Sequence, residues 1–149
     1  MHKIATMDLN IRVAFSSDFA ALMQCDEYAQ DNGARREHLA AAVTQGACIL
    51  AQDSANTLGF IIFEYSFFGF GFISAICVAP AARRRGVAKR LLRAAESVCT
   101  TSKLFASTNQ SNAAAQALML QAGFEPSGII QNLDVDDPEL IFFKRVNGG

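Results

Sequence analysis

The 149-residue sequence predicts a single mixed α+β domain spanning residues 1–149. Three observations carry that reading. Strand-like apolar runs and segments with helical spacing follow one another in the order β-α-α-β-β-β-α-β-α-β-β. Two long apolar runs, 57–67 and 70–79, are joined only by Phe68-Gly69, which makes them an antiparallel hairpin. The second run ends at Pro80, three arginines and Gly86 follow, and a helical pattern then begins. Apolar residues make up 51% of the chain and charged ones 18%, a balance that excludes disorder and supports one core. No repeat, low-complexity tract or linker divides it.

Residues 11–15 are strand formers, and Ser16 or Ser17 is placed to cap a helix running to about residue 29, with Phe19, Leu22 and Met23 on one side. Asp31-Asn32-Gly33 breaks that helix. A second helix over 35–44 stops at Gly46, and a short strand over 47–52 leads into the turn Asp53-Ser54-Ala55-Asn56. Beyond the hairpin, Val87, Leu91, Leu92, Ala95 and Val98 recur at helical spacing over 87–100, with basic residues opposite. Residues 104–108 read as a strand and 112–122 as a helix closed by Gly123. Glu125-Pro126-Ser127-Gly128 reads as a turn. Closing strands are expected over 129–135 and 140–146, divided by Asp136-Asp137-Pro138.

The net charge is −1, yet six of the thirteen Lys and Arg residues fall within positions 83–93. A nucleic-acid binder is usually basic overall, so this local patch suits a small polyanion better than a long one. The strand, turn and helix around it supply the means. A helix N-terminus gathers unpaired N–H groups and about half a unit of positive charge, so it binds phosphate. Gly86 lets the backbone approach a ligand. The cysteines at 25, 48, 77 and 99 have no metal spacing, and with only His2 and His38 available no metal site is expected. No run is long enough to span a bilayer, the first ten residues lack a secretory apolar stretch, and a cytoplasmic protein with reduced thiols is expected. Gly69-Phe70-Gly71 lies in a hairpin and lacks the third glycine of a dinucleotide site.

Arg83-Arg84-Arg85-Gly86-Val87-Ala88 resembles the Gln/Arg-x-x-Gly-x-Gly/Ala signature of the GCN5-related N-acetyltransferase (GNAT) superfamily, and Val78-Ala79-Pro80 looks like the end of its fourth strand. A second stretch, from Ser111-Asn112 to Gly123-Phe124, resembles the family's later motif, in which an Asn opens a helix and a Gly-Phe pair closes it. The resemblance covers nearly the whole chain. It implies a mostly antiparallel sheet of six to seven strands, with a V-shaped splay between strands 4 and 5 and about four flanking helices. It also implies acetyl-CoA as co-substrate, without a metal. The pyrophosphate would rest on Arg83, Arg84, Arg85, Gly86, Val87, Ala88 and Lys89. The pantetheine arm would pair with Ile76, Cys77 and Val78 and meet Asn112, and a backbone N–H of Cys77 or Val78 would face the acyl oxygen.

Acetyl transfer requires a neutral amine, and an alkylamine has a pKa near 10, so a base must take its proton. Glu64 is the only acid inside an apolar strand run and is the candidate base, weighed against a solvent-facing strand residue. Glu64 and Tyr65 alternate to opposite faces. The chain departs from the family where a Tyr often serves as general acid, since Met119 stands there. Cys77 has no neighbouring His to activate it and reads as a small strand residue. The Phe67, Phe68, Phe70 and Phe72 cluster reads as packing or as part of an acceptor pocket. Asp26, Glu27 and Asp31 read as a solvated face or as attractants for a cationic amine. The expected partner is a small-molecule amine or a peptide or protein amine, without nucleic acid or membrane, and an open strand edge or the Phe cluster offers a surface for a homodimer. The rival reading is an acyl-CoA-binding domain of the same fold that has lost turnover.

Overall fold

Strand β3 (Thr57–Phe67) buries six consecutive residues, Leu58 to Phe63, which requires cover on both of its faces. The computed structural model of the chain describes residues 9–54 and 56–147, and in it β3 is the third strand of a seven-stranded sheet. The others are β1 (Asn10–Val13), β2 (Cys48–Gln52), β4 (Phe70–Val78), β5 (Lys103–Asn109), β6 (Glu125–Ile130) and β7 (Glu139–Arg145), in the spatial order β1-β2-β3-β4-β5-β7-β6. All pairs are antiparallel except β4–β5. The observed fold class is therefore the expected one. His2 lies outside the described residues.

Helices α1 (Phe19–Cys25), α2 (Glu27–Gln30) and α3 (Gly33–Thr44) precede β2; α4 (Val87–Val98) joins β4 to β5, and α5 (Ala113–Gln121) follows β5. Leu22, Leu39 and Ala42 pack from α1 and α3 against Leu50, Phe60 and Ile62 on one face of the sheet. Leu91, Leu92 and Met119 pack from α4 and α5 against Ile61, Ile73 and Leu104 on the other. Each such side chain contributes about 1.5–3 kcal/mol on burial, so the two layers hold β3 and β4 rigidly between them.

Three elements differ from the sequence reading. The single helix expected from Ser16 or Ser17 to residue 29 is a 3-10 turn, Ser16–Asp18, followed by α1 and α2. Neither serine caps it; the Asp18 carboxylate accepts from Phe15 N at 2.7 Å and pairs with Arg12. The helix breaks at Asp26 (φ −106°, ψ 90°), whose carboxylate accepts from Ala29 N and from Arg35 Nε. A side-chain acceptor of this kind replaces the helical ladder. Val98, expected on the buried face of α4, is half exposed, and Cys99 takes the buried place. The turn expected at 125–128 belongs to β6, and residues 131–138 form a loop. Pro126 is tolerated because β6 is the edge strand and its register shifts between Pro126 and Gly128.

The feature that creates a site is the parallel pair. β4 and β5 are in register only over Gly71–Leu104, Phe72–Phe105 and Ile73–Ala106. Past those positions the strands diverge, leaving the C-terminal halves of β4 and β5 without each other.

Candidate active site

The divergence opens a cleft of about 930 Å³. Ser74, Ile76, Cys77 and Val78 line one wall and Ser107, Thr108 and Asn109 the other, with Asn112 and Ala115 of α5 and Arg83 and Ala88 at the entrance to α4. Register decides which backbone groups face it. Ala79 N donates to Leu58 O at 2.8 Å, and Val78, Cys77 and Ile76 stand opposite Gly59, Phe60 and Ile61. Backbone groups of successive residues point to opposite sides of a strand. Cys77 therefore turns its N–H to β3, as Ala79 does, while Ile76 and Val78 turn theirs toward the gap. Of the two donors expected, Cys77 and Val78, the register therefore leaves Val78 facing the gap, together with Ile76.

At the cleft's basic end, Gly86 precedes α4 in the left-handed region (φ +78°) with no side-chain cap. Val87, Ala88 and Lys89 are first-turn residues whose N–H groups have no acceptor within the helix. Arg84 also has positive φ (64°), a strained backbone of the kind found at ligand clamps. The side chains of Arg83, Arg84, Arg85 and Lys89 are exposed, whereas Val87 is buried and offers only backbone. Arg83 lies 4.0 Å from Glu27 of α2. Asn112 caps α5, its Oδ1 accepting from Ala115 N at 3.1 Å, and the residue also lines the cleft.

Glu64 does not line the cleft, but it is connected to it. Ser74 donates to Glu64 Oε1 at 3.1 Å and lies 2.9 Å from His38 Nε2 of α3. Ile62 pairs with Ala75 and Phe63 with Ile73, so Ser74 is the extra residue of a β-bulge. Bulges re-aim side chains and often border active sites. Sequence reasoning singled out Glu64 and missed His38, which lies 36 positions from Ser74. The one available signal was that it is one of only two histidines.

A sequence model of the acetyltransferase (GNAT) family matches residues 13–124. This chain belongs to the GNAT acetyltransferase family. A GNAT-family acetyltransferase from Bacillus cereus is 35% identical, covers 93% of this chain and 97% of its own, and superimposes with a TM-score of 0.83. The fold is shared with yncA of Salmonella typhimurium, solved with its cofactor acetyl-CoA (18% identity, 95% of both chains, TM-score 0.72). It is also shared with the ribosomal-protein-S18-alanine N-acetyltransferase of Escherichia coli (20% identity, 93% of this chain and 94% of that one, TM-score 0.73). The comparison with curated proteins finds no match.

Met119 and Tyr65 of this GNAT acetyltransferase do not line the cleft. Met119 is 1% exposed within the α4–α5 core, so it presents nothing to the cleft. Tyr65 donates to Val98 O and accepts from Thr100 N, which holds its hydroxyl beside the end of α4. Among the described residues no group of His, Cys, Asp and Glu is arranged to hold a metal, and no helix is long and apolar enough to cross a membrane.

The Cys77 thiol donates to Cys25 O at 3.2 Å, and burial pushes its pKa up to about 12. At pH 8 only about one molecule in 10⁴ then carries the thiolate. Iodoacetamide at pH 8 is expected to leave Cys77, and the similarly raised Cys25 and Cys48, unmodified until urea unfolds the protein; peptide mass mapping reads this. The same shifts set a pH trend. The three thiols ionise near 9 when unfolded but only near 11 to 12 when folded, so stability is fully present below pH 9 and is lost as pH rises above it.

Proposed function

We propose that this GNAT acetyltransferase moves the acetyl group of acetyl-CoA directly to a primary amine in a ternary complex. The observation that carries the reading is the cleft between β4 and β5, with the N-terminus of α4 at one end and two strand amides directed into it. The residues fit the co-substrate. The N–H groups of Val87, Ala88 and Lys89 and the exposed Arg83, Arg84 and Arg85 would hold its phosphates. The strand edge at Ile76 and Val78 would pair with the amides of the pantetheine arm, and the Asn112 amide would donate to them. Asp134, Asp137 and Glu139 also line the cleft, the first two bonded to Asn109 and Ser111, and their charge favours a cationic amine over an acidic acceptor.

Chemically, the amine nitrogen bonds to the thioester carbon, the C–S bond breaks, and the proton of the amine passes through Ser74 to Glu64. An N–H of Ile76 or Val78 aimed at the carbonyl oxygen would favour its developing charge; loss of one such donor costs roughly 3 kcal/mol. With Met119 in place of a Tyr, the thiolate departs without a side-chain acid. A thiol pKa near 8.5 makes that tolerable.

The test is CoA-thiol release from acetyl-CoA with a panel of 1,4-diaminobutane, 2-phenylethylamine, a lysine-containing peptide and an alanine-initiated peptide. Saturable release with one of them is expected. Micromolar acetyl-CoA binding without release from any amine, the panel widened to aminoglycosides included, would instead support the acyl-CoA-binding alternative.

A further inference from the structure

We infer that His38 is a positioning residue that fixes the direction of the proton path from the cleft through Ser74 to Glu64. The inference rests on the acetyl-transfer reading of the same site, and counting hydrogens leads to it. The two contacts, His38 Nε2 to Ser74 Oγ at 2.9 Å and Ser74 Oγ to Glu64 Oε1 at 3.1 Å, each need one hydrogen. Ser74 supplies one. The other comes from His38 Nε2–H or from a protonated Glu64.

With Glu64 ionised, only one arrangement satisfies both contacts. His38 donates from Nε2, and Ser74 turns its own hydrogen to the carboxylate. That leaves a second lone pair on Ser74 Oγ, and Ser74 is the member of the three that lines the cleft. The lone pair accepts an N–H of the incoming amine or of a bridging water. As the N–C bond forms, the proton passes to Ser74 Oγ, the hydroxyl proton of Ser74 passes to Glu64, and the carboxylate becomes a carboxylic acid. The amine reacts as the neutral base, its first proton having been released to solvent, so the single carboxylate has one proton to take. With the hydrogen of His38 on Nδ1 instead, the one hydrogen of Ser74 could satisfy only one of its two neighbours, and His38 would no longer direct that hydroxyl to Glu64.

The fold keeps the three together. Asn32 caps α3 through Arg35 N at 2.9 Å, Asp26 anchors Arg35 at 2.7 Å, and the bulge directs Ser74 to the same side of the sheet. The charged groups around the relay are Glu64 from β3, the Asp26–Arg35 pair where α2 meets α3, and the exposed Glu37 next to His38 on α3.

Two measurements test it. Nitrogen-15 imidazole spectra of the wild type, with His38 assigned by its absence from His38→Gln, are expected to show the Nε2–H tautomer once the ring is neutral. They need neither acetyl-CoA nor turnover. The Nδ1–H tautomer overturns the inference.

The second measurement is steady-state kinetics with acetyl-CoA and the best amine of the panel. Ser74→Ala and Glu64→Gln are each expected to lower kcat about 10²-fold, with the acetyl-CoA KM within about twofold, and the double variant is expected to be no slower than either. His38→Ala is expected to lose about tenfold in kcat. His38→Gln, whose amide N–H can replace Nε2–H, is expected to recover most of that loss. A His38→Gln as slow as His38→Ala, or a fully active Ser74→Ala, overturns the inference. If the wild type turns over no amine, it is the acetyl-transfer reading that fails, while the tautomer still decides the direction of the hydrogen bonds.

Discussion

Gly86→Glu is expected to abolish acetyl-CoA binding, weakening it by at least about 100-fold in a calorimetric titration, while leaving the protein folded. The backbone at this position lies at φ +78°, and a Cβ built on it meets nothing within 4 Å. The substitution therefore displaces no neighbour. It costs the fold about 1–2 kcal/mol for a side chain in the left-handed region, which for a chain of this length lowers the melting temperature by only a few degrees. For the ligand the change is far larger. A carboxylate would stand in front of the first-turn N–H groups of α4, filling the space that a phosphate would enter and repelling it. Gly86→Asn is the control, because Asn tolerates left-handed backbone and carries no charge. Its binding should be weakened modestly. Equal acetyl-CoA affinity in Gly86→Glu and the wild type would place the phosphates elsewhere.

The strand-turn-helix segment around Gly86 was legible because it is local. Six adjacent residues, a preceding strand and a following helix define it, and none depends on a distant part of the chain. The same holds for the hairpin and for α4, whose buried residues recur every three or four positions. The failures share the opposite property. Nothing near Asp26 in sequence announces that its carboxylate will cap Ala29 and hold Arg35, so the local pattern reads as one continuous helix. Pro126-Ser127-Gly128 has the composition of a turn, and only its place at the sheet edge, where a missing N–H goes unnoticed, lets it form a strand.

The His38–Ser74–Glu64 contacts were the least legible part of the candidate site. Glu64 could be singled out as an acid in an apolar strand, but its link to the cleft needs a bulge, and a bulge is a matter of register between two strands. Ser74 among Phe72, Ile73 and Ile76 was the only local mark of it. His38 reaches Ser74 because α3 packs across the sheet, a contact between elements that single-sequence patterning does not encode. The backbone parity of Ile76, Cys77 and Val78 was also hidden, since it follows from the bond of Ala79, just past β4, to Leu58.

Gly59→Ala is expected to damage stability and ligand binding together. A Cβ at Gly59 would lie 2.6 Å from Cys77 O, 3.2 Å from Val78 Cα and 3.3 Å from Val87 Cγ1. Two of these atoms are backbone, which cannot swing aside as the end of a side chain can, so the last residues of β4 or the start of α4 must shift. Overpacking of this kind costs about 1–3 kcal/mol, or a fall in melting temperature of roughly 2–12 °C. The atoms that must move belong to the two structures proposed to hold acetyl-CoA, the strand edge at Val78 and the helix start at Val87. A loss of affinity of about tenfold should accompany the lower melting temperature. Gly46→Ala separates the two effects. Gly46 has φ +74° and open space around its Cβ, so its replacement costs stability alone, and acetyl-CoA binding measured well below the transition should be unchanged. Wild-type affinity in Gly59→Ala would mean that the end of β4 can move without disturbing the ligand, and that Val78 does not form the wall of its site.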